Sequence, residues 1–185
     1  MKRNIFSLIN YLSAKFSETI LFIMTNRDEV INNFYTSFQK LDYKGMNSCY
    51  NENIVFFDPI FGFLQGIEVT AMWEMLCKNA KEFSLSYKNI QHLDEEYSTC
   101  DLEVRFTFTK TDKKIINRIK ANMRFKNGKI AEHSDAFSLH KWSSNALGFM
   151  GWLLGWNRYF QQKVQNGARK ELMVFIERSA VGGYQ

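Results

Sequence analysis

The sequence predicts an α+β fold, with helices first and an antiparallel sheet after them. Three observations carry this reading. Apolar residues recur at helical spacing up to Ala80, the period then changes from 3.6 to 2, and an Asn-Gly pair sits inside the alternating region as a hairpin signal. The length of 185 residues suits one domain with modest extras. Apolar residues make up 45% and charged residues 23%, a globular balance that excludes disorder. A single proline and 10 glycines leave no Pro- or Gly-rich linker. Aromatics reach 16%, enough to build a core and still line a cavity.

Each element has its own signature. In residues 1–24, Ile5, Leu8, Leu12, Phe16 and Ile20 fall at helical spacing, interrupted by Asn10, Lys15 and Glu18. That makes a weak signal peptide and a better amphipathic helix, read as an N-terminal helical extension. Residues 25–140 are read as the folded domain. Asn26 with Glu29 resembles a capping box, and Val30, Ile31, Phe34, Tyr35, Phe38 and Leu41 then share one helical face. A polar stretch holding Met46 and Tyr50 leads into a brief strand, IVFFDP, closed by the only proline. Gly62 and Gly66 bracket a turn. Val69, Met72, Trp73, Leu76 and Ala80 mark a second helix.

Four strands are expected next, at 84–93, 98–110, 114–126 and 129–140. In the second, Leu102, Val104, Phe106 and Phe108 alternate with Asp101, Glu103, Arg105 and Thr107. One apolar and one polar face mean a sheet covered on one side. Residues 141–185 form a C-terminal part: WSSNALGFMGWLLGWN carries no charge, and a final helix follows through Val164, Leu172 and Ile176.

The charge distribution narrows the function. The formal net charge is +5, but residues 1–23 hold +2 and residues 140–185 hold +4, while the stretch between them is −1. A nucleic-acid-binding domain concentrates positive charge on its folded core, so nucleic acid is not expected as a partner. Cys49, Cys77 and Cys100 are odd in number and lack C-x-x-C spacing, which argues against disulfides and structural zinc and for a reducing, cytoplasmic setting. His92 and His140 add no metal-ligand spacing to His133, so no metal is expected. P-loop, G-x-G-x-x-G and G-x-S-x-G motifs are absent from the sequence, and no cofactor is expected.

The segments FYTSFQKLDYKGM, YNENIVFFDPIFGFLQG and MRFKNGKIAEHSDAF, in that order, resemble the nuclear transport factor 2-like (NTF2-like) superfamily, and SnoaL-like domains in particular. The resemblance covers about residues 26–140. It implies a cone, a curved antiparallel sheet wrapped around a long N-terminal helix, with an apolar cavity inside. It also implies a small apolar ligand and a homodimer.

Asp58 is the first candidate site residue. It follows Ile54 and Phe56 on one strand face beside Phe57 and Phe61, and a carboxylate desolvated by aromatics gains basicity. The resemblance to ketosteroid isomerase implies a proton-shuttling Asp at this Asp-Pro. That enzyme's oxyanion hole does not carry over: its Tyr position falls on Phe34 and its protonated Asp on Ala121, with Tyr35 one helical step away. Accepting backbone N–H bonds in the turn before Gly62 is the alternative role for Asp58. His133 and Asp135, spaced i, i+2 on a strand, point to one face with Phe137 and Leu139. They suit acid/base or ligand-orienting work, or form a buried polar pair satisfied mutually or by Asn122. Tyr35, Phe57, Phe61, Trp73, Asn122 and Trp142 are the expected pocket lining.

The tryptophan-rich segment 142–160 has three readings, in this order: packing on the sheet, a dimer contact, and a membrane-surface contact. Together these features point to a domain that binds a small apolar molecule, with Asp58, His133 and Asp135 as the catalytic set of a cofactor-free acid/base isomerase or cyclase. A non-catalytic ligand-binding or dimerisation module is the alternative. Since Met24 restarts the pattern, a chain beginning there is expected to keep a cooperative thermal transition by circular dichroism, and loss of that transition would make residues 1–23 part of the fold.

Overall fold

A computed structural model describes residues 26–182 and, ahead of them, Leu12, Lys15 and Phe16. The extension read at residues 1–24 otherwise lies outside the described residues. The first described helix, α1, runs through residues 26–39. It is followed by α2 (Tyr43–Ser48), β1 (Tyr50–Asp58), β2 (Gly62–Gln65), α3 (Ile67–Asn79), β3 (Ser84–His92), β4 (Tyr97–Phe108), β5 (Lys113–Lys126) and β6 (Lys129–Ala136). Three helices complete it: α4 (Leu139–Leu147), α5 (Phe149–Leu154) and α6 (Arg158–Gly182). The α+β order expected from the sequence is the order found.

The strands form one curved, open sheet in the order β2-β1-β6-β5-β4-β3. All neighbours are antiparallel except β1 and β6, which pair in parallel. The β5–β6 hairpin turns at Asn127 and Gly128, both with positive φ (53° and 72°), as a two-residue type I′ turn requires. The segment after Asp58 contains a short strand, β2, where the sequence suggested only a turn: its Phe63 and Leu64 pair with Phe57 and Phe56.

Alternation then decides what faces inward. Ile54 and Phe56 of β1, Cys100, Leu102 and Val104 of β4, and Ala121 and Met123 of β5 are buried against Ile31, Phe34, Tyr35 and Phe38 of α1 and Val69, Met72 and Trp73 of α3. The other sheet face is polar and laced with exposed ion pairs, among them Arg118 and Arg105 to Glu103.

Helix α6 closes this core rather than trailing from it. Asn157 caps its start, accepting from the Tyr159 N–H at 2.8 Å. Leu172 is 1% exposed and joins the main cluster, with Ala168, Phe175 and Ile176 packed beside it. A second cluster of Ile115, Leu139, Trp142 and Ala146 seats α4 on β5. Because burial of Leu172 is complete while Met173 is 47% exposed, the two should respond differently to truncation. Leu172→Ala is expected to cost about 2–4 kcal/mol in urea unfolding, and Met173→Ala less than about 0.5 kcal/mol. Equal small losses would show that α6 does not pack on the core.

Candidate functional site

Between the sheet's inner face and helices α3, α4 and α6 lies an apolar chamber of about 300 Å³. Phe38, Phe56, Phe61, Met72, Trp73, Val104, Phe106, Ile119, Phe137 and Trp142 supply most of its wall, with Val164 and Ala168 of α6 closing one side. Exposed Lys81, Lys110 and Glu171 stand at its rim, and Lys110 pairs with Glu171 across it, tying the β4–β5 turn to α6. Two carboxylates, Asp58 and Asp135, line this chamber together.

Asp58 ends β1 on the inward parity of Ile54 and Phe56 and is 8% exposed. Its Oδ1 accepts the N–H groups of Ile60 (2.9 Å) and Phe61 (2.5 Å), fixing the turn that Pro59 begins. Helix α6 holds the same turn from outside, Gln165 Nε2 donating to the Pro59 carbonyl at 3.1 Å. The turn bonds favour the ionised form, but loss of water opposes it more strongly, and the negative field of Asp135 adds to that. The carboxyl is pushed up from 3.8 to about 7.

Asp135 is held differently. On β6 it shares a face with His133, and Met123 and Ala121 stand opposite them on β5. His133 Nε2 lies 3.1 Å from Asp135 Oδ1, and its Nδ1 lies 2.7 Å from the Tyr50 hydroxyl, which in turn accepts from Trp73 Nε1 at 2.9 Å. Counting donors assigns the protons. Indole N–H can only donate, so the Tyr50 oxygen accepts it and donates its own O–H to His133 Nδ1. The Nε2–H is then directed at Asp135. Every hydrogen in the chain finds an acceptor when His133 is neutral. Phe34 and Phe56 meet the imidazole edge-on at 5.5 and 5.3 Å, and Trp73 stacks on it at 6.2 Å, so the ring has no freedom to reorient.

The structure thus brings together Asp58, Asp135, Phe61, Trp73 and Trp142 of the residues expected from sequence, with His133 one bond behind the wall. It does not bring Phe57, which has the opposite parity to Phe56 and is 49% exposed. Asn122 pairs across the sheet with Ser134, so it lies on the face away from His133 and Asp135 and does not satisfy them. Tyr35 is fully buried, its ring tilted against Tyr87 at 5.1 Å, and is not part of the wall. Tyr50, which sequence reading did not single out, completes the chain; its aromatic character just before the β1 alternation was the available signal. Among the described residues no group of three or more His, Cys, Asp or Glu is placed to hold a metal ion.

A sequence profile described as a SnoaL-like domain matches residues 31–133. No curated protein matches the chain. Solved structures with a similar fold include an LEH-like epoxide hydrolase of Mycobacterium tuberculosis, at 12% identity and TM-score 0.57, covering 71% of this chain and 97% of that one. A putative polyketide cyclase of a Silicibacter species aligns at 14% identity and TM-score 0.55, covering 64% and 93%. A hypothetical protein of Catenulispora acidiphila with a ketosteroid isomerase-like fold, in complex with trimethylamine, aligns at 9% identity and TM-score 0.57, covering 64% and 92%. At these identities the likeness is one of fold.

The elevated Asp58 proton affinity has a sign that stability measurements can read. Below pH 3.8 the carboxyl is protonated folded or unfolded; between 3.8 and about 7 the unfolded chain ionises while the folded one does not. Stability therefore falls across that window as pH rises, by on the order of 4 kcal/mol in full. Asp58→Asn keeps an oxygen for the turn N–H bonds and removes the ionisation. The variant is expected to be as stable as the parent near pH 4 and more stable at pH 8 in paired thermal melts. Parallel pH profiles would mean that Asp58 is not shifted.

Proposed function

The chain belongs to the SnoaL-like domain family, and from that premise we propose that it is a cofactor-free acid/base catalyst, of the isomerase or cyclase type, acting on a small apolar molecule. The observation that carries this reading is the pair of carboxylates facing one apolar chamber with unequal surroundings. Asp58, desolvated and held near 7, keeps a substantial share of its proton at neutral pH. Asp135 accepts the His133 N–H and offers the chamber an acceptor. Two carboxylates with such unequal hydrogen-bond partners divide into donor and acceptor. This assigns Asp58 the proton-giving role, whereas the sequence suggested it as the base.

The chemistry follows from that division. Asp135 takes a proton from an acidic C–H, from an attacking hydroxyl of the ligand or, in epoxide opening, from an attacking water, while Asp58 delivers one to the oxygen on which charge develops. In double-bond migration Asp135 then returns its proton to the γ-carbon as Asp58 takes its own back from the oxygen. Ring closure, epoxide opening and double-bond migration all need this and no external oxidant or reductant. His133 stabilises the Asp135 charge before the transfer, and Tyr50 with Trp73 fixes its tautomer and orientation. The names of the structural neighbours, an epoxide hydrolase and a polyketide cyclase, are of the same chemical type. The second reading, a non-catalytic binding or dimerisation module, rests on the turn-holding bonds of Asp58, which give that residue a structural task of its own.

Two small apolar probes test the proposal: cyclohexene oxide for ring opening, and 3-cyclohexen-1-one for migration of its double bond into conjugation. Turnover of either is expected to fall by about 10²–10⁴-fold in Asp58→Asn and in Asp135→Asn, and by about tenfold in Tyr50→Phe, which frees the imidazole tautomer. Binding of both probes without turnover would favour the non-catalytic module.

A further inference from the structure

Trp142 packs as the sequence suggested, but the residues after it do not. Gly148 (φ 66°) turns the chain from α4 into α5. Gly151 then lies so close to α4 that a Cβ there would sit 1.9 Å from the Ser143 carbonyl oxygen, and Gly155 is pressed against His140. His140 Nε2 lies 3.0 Å from the Trp152 carbonyl, and its ring stacks on Trp156 at 4.2 Å. The glycine side of α5 is thus locked inward, and the opposite side is forced outward. Phe149, Met150, Trp152, Leu153, Trp156 and Tyr159 are 54–75% exposed, a cluster far denser than scattered surface apolar residues.

The charge around the cluster identifies what covers it. Residues 136–170 contain Lys141, Arg158, Lys163, Arg169 and Lys170 and no Asp or Glu. Lys113 adds its ammonium at the Gly148 turn. Lys113, Lys141, Arg158 and Lys163 have no carboxylate partner among the described residues. A second copy would bring the same cations face to face, and two such surfaces repel. Anionic headgroups neutralise them while hydrocarbon takes the apolar side chains; Trp and Tyr suit the boundary between the two. We propose that the α4–α5 hairpin and the start of α6 dock this protein on an anionic lipid bilayer. No described helix is long and apolar enough to cross the membrane. The contact is peripheral, and it does not depend on the acid/base chemistry proposed for the chamber.

The test is cosedimentation of the full chain with vesicles of phosphatidylcholine alone or with about 30% phosphatidylglycerol. Binding to the anionic vesicles is expected to be at least about tenfold the stronger, and to weaken as salt rises from about 0.1 to about 0.5 M. Trp152→Ser with Leu153→Ser is expected to lose at least about tenfold in binding with an unmoved thermal transition. Lys141→Glu with Arg158→Glu, at two exposed positions, should abolish the preference for anionic vesicles, and carries the test should the first pair disturb folding. Failure to bind either vesicle, or equal binding by parent and variants, overturns the proposal. So does a lipid-free parent that sediments as a dimer and becomes monomeric in the Trp152/Leu153 variant, since a second copy would then own the face.

Discussion

Burial of polar groups without water is the constraint on which the rest of this structure depends. His133 is 2% exposed and Asp135 7%, inside a core built from Phe34, Phe56 and Trp73. Each buried donor or acceptor left without a partner costs about 1–3 kcal/mol, and a lone charge costs more. At His133 that demand is met with a linear chain, Trp73 to Tyr50 to His133 to Asp135, whose members come from α3, β1 and β6. Parallel pairing of β1 with β6 sets Phe56 beside His133 and so brings Asp58, two residues further along β1, to the same chamber. The register that satisfies the histidine is also the one that gathers the two carboxylates.

One consequence is an asymmetry between chemically identical groups. Asp135 receives a hydrogen bond from an imidazole already oriented by its other neighbour. Asp58 accepts turn amides, and no ion pair joins it among the described residues. The shared chamber makes each the other's electrostatic neighbour, and the one with poorer compensation takes the proton. Val164 and Ala168 of α6 give the chamber an apolar wall on one side, and a low-polarity surround strengthens this division.

Much of this was legible in the sequence because strand parity is a strict rule. The i, i+2 spacing put His133 and Asp135 on one face of their strand and Asp58 on the face of Ile54 and Phe56; that both faces look into one cavity followed from the family resemblance. The Asn127-Gly128 turn fixed the last hairpin. Parity also explains Phe57 and Asn122: their side-chain types suit a pocket, but each has an inward neighbour on either side in the chain. Tyr50 shares the inward parity of Ile54, Phe56 and Asp58, but the exposed, charged Glu52 between them interrupts the apolar pattern, so the strand reads as starting at Ile54. Long-range parallel pairing leaves no local trace either. In the tail, absence of charge in residues 142–157 read as packing; the close-approach glycines at 151 and 155 instead turn one side inward and leave the other bare.

The account stands on Asp58 being the proton-rich member of the pair, and carbon-detected NMR titration of the Asp side-chain carboxyls measures that directly. Asp58 is expected to show its midpoint near 7, and to move lower in Asp135→Asn as the neighbouring negative charge is removed. A midpoint near the ordinary 3.8, unaffected by that substitution, would contradict it and leave Asp58 as a turn-holding carboxylate.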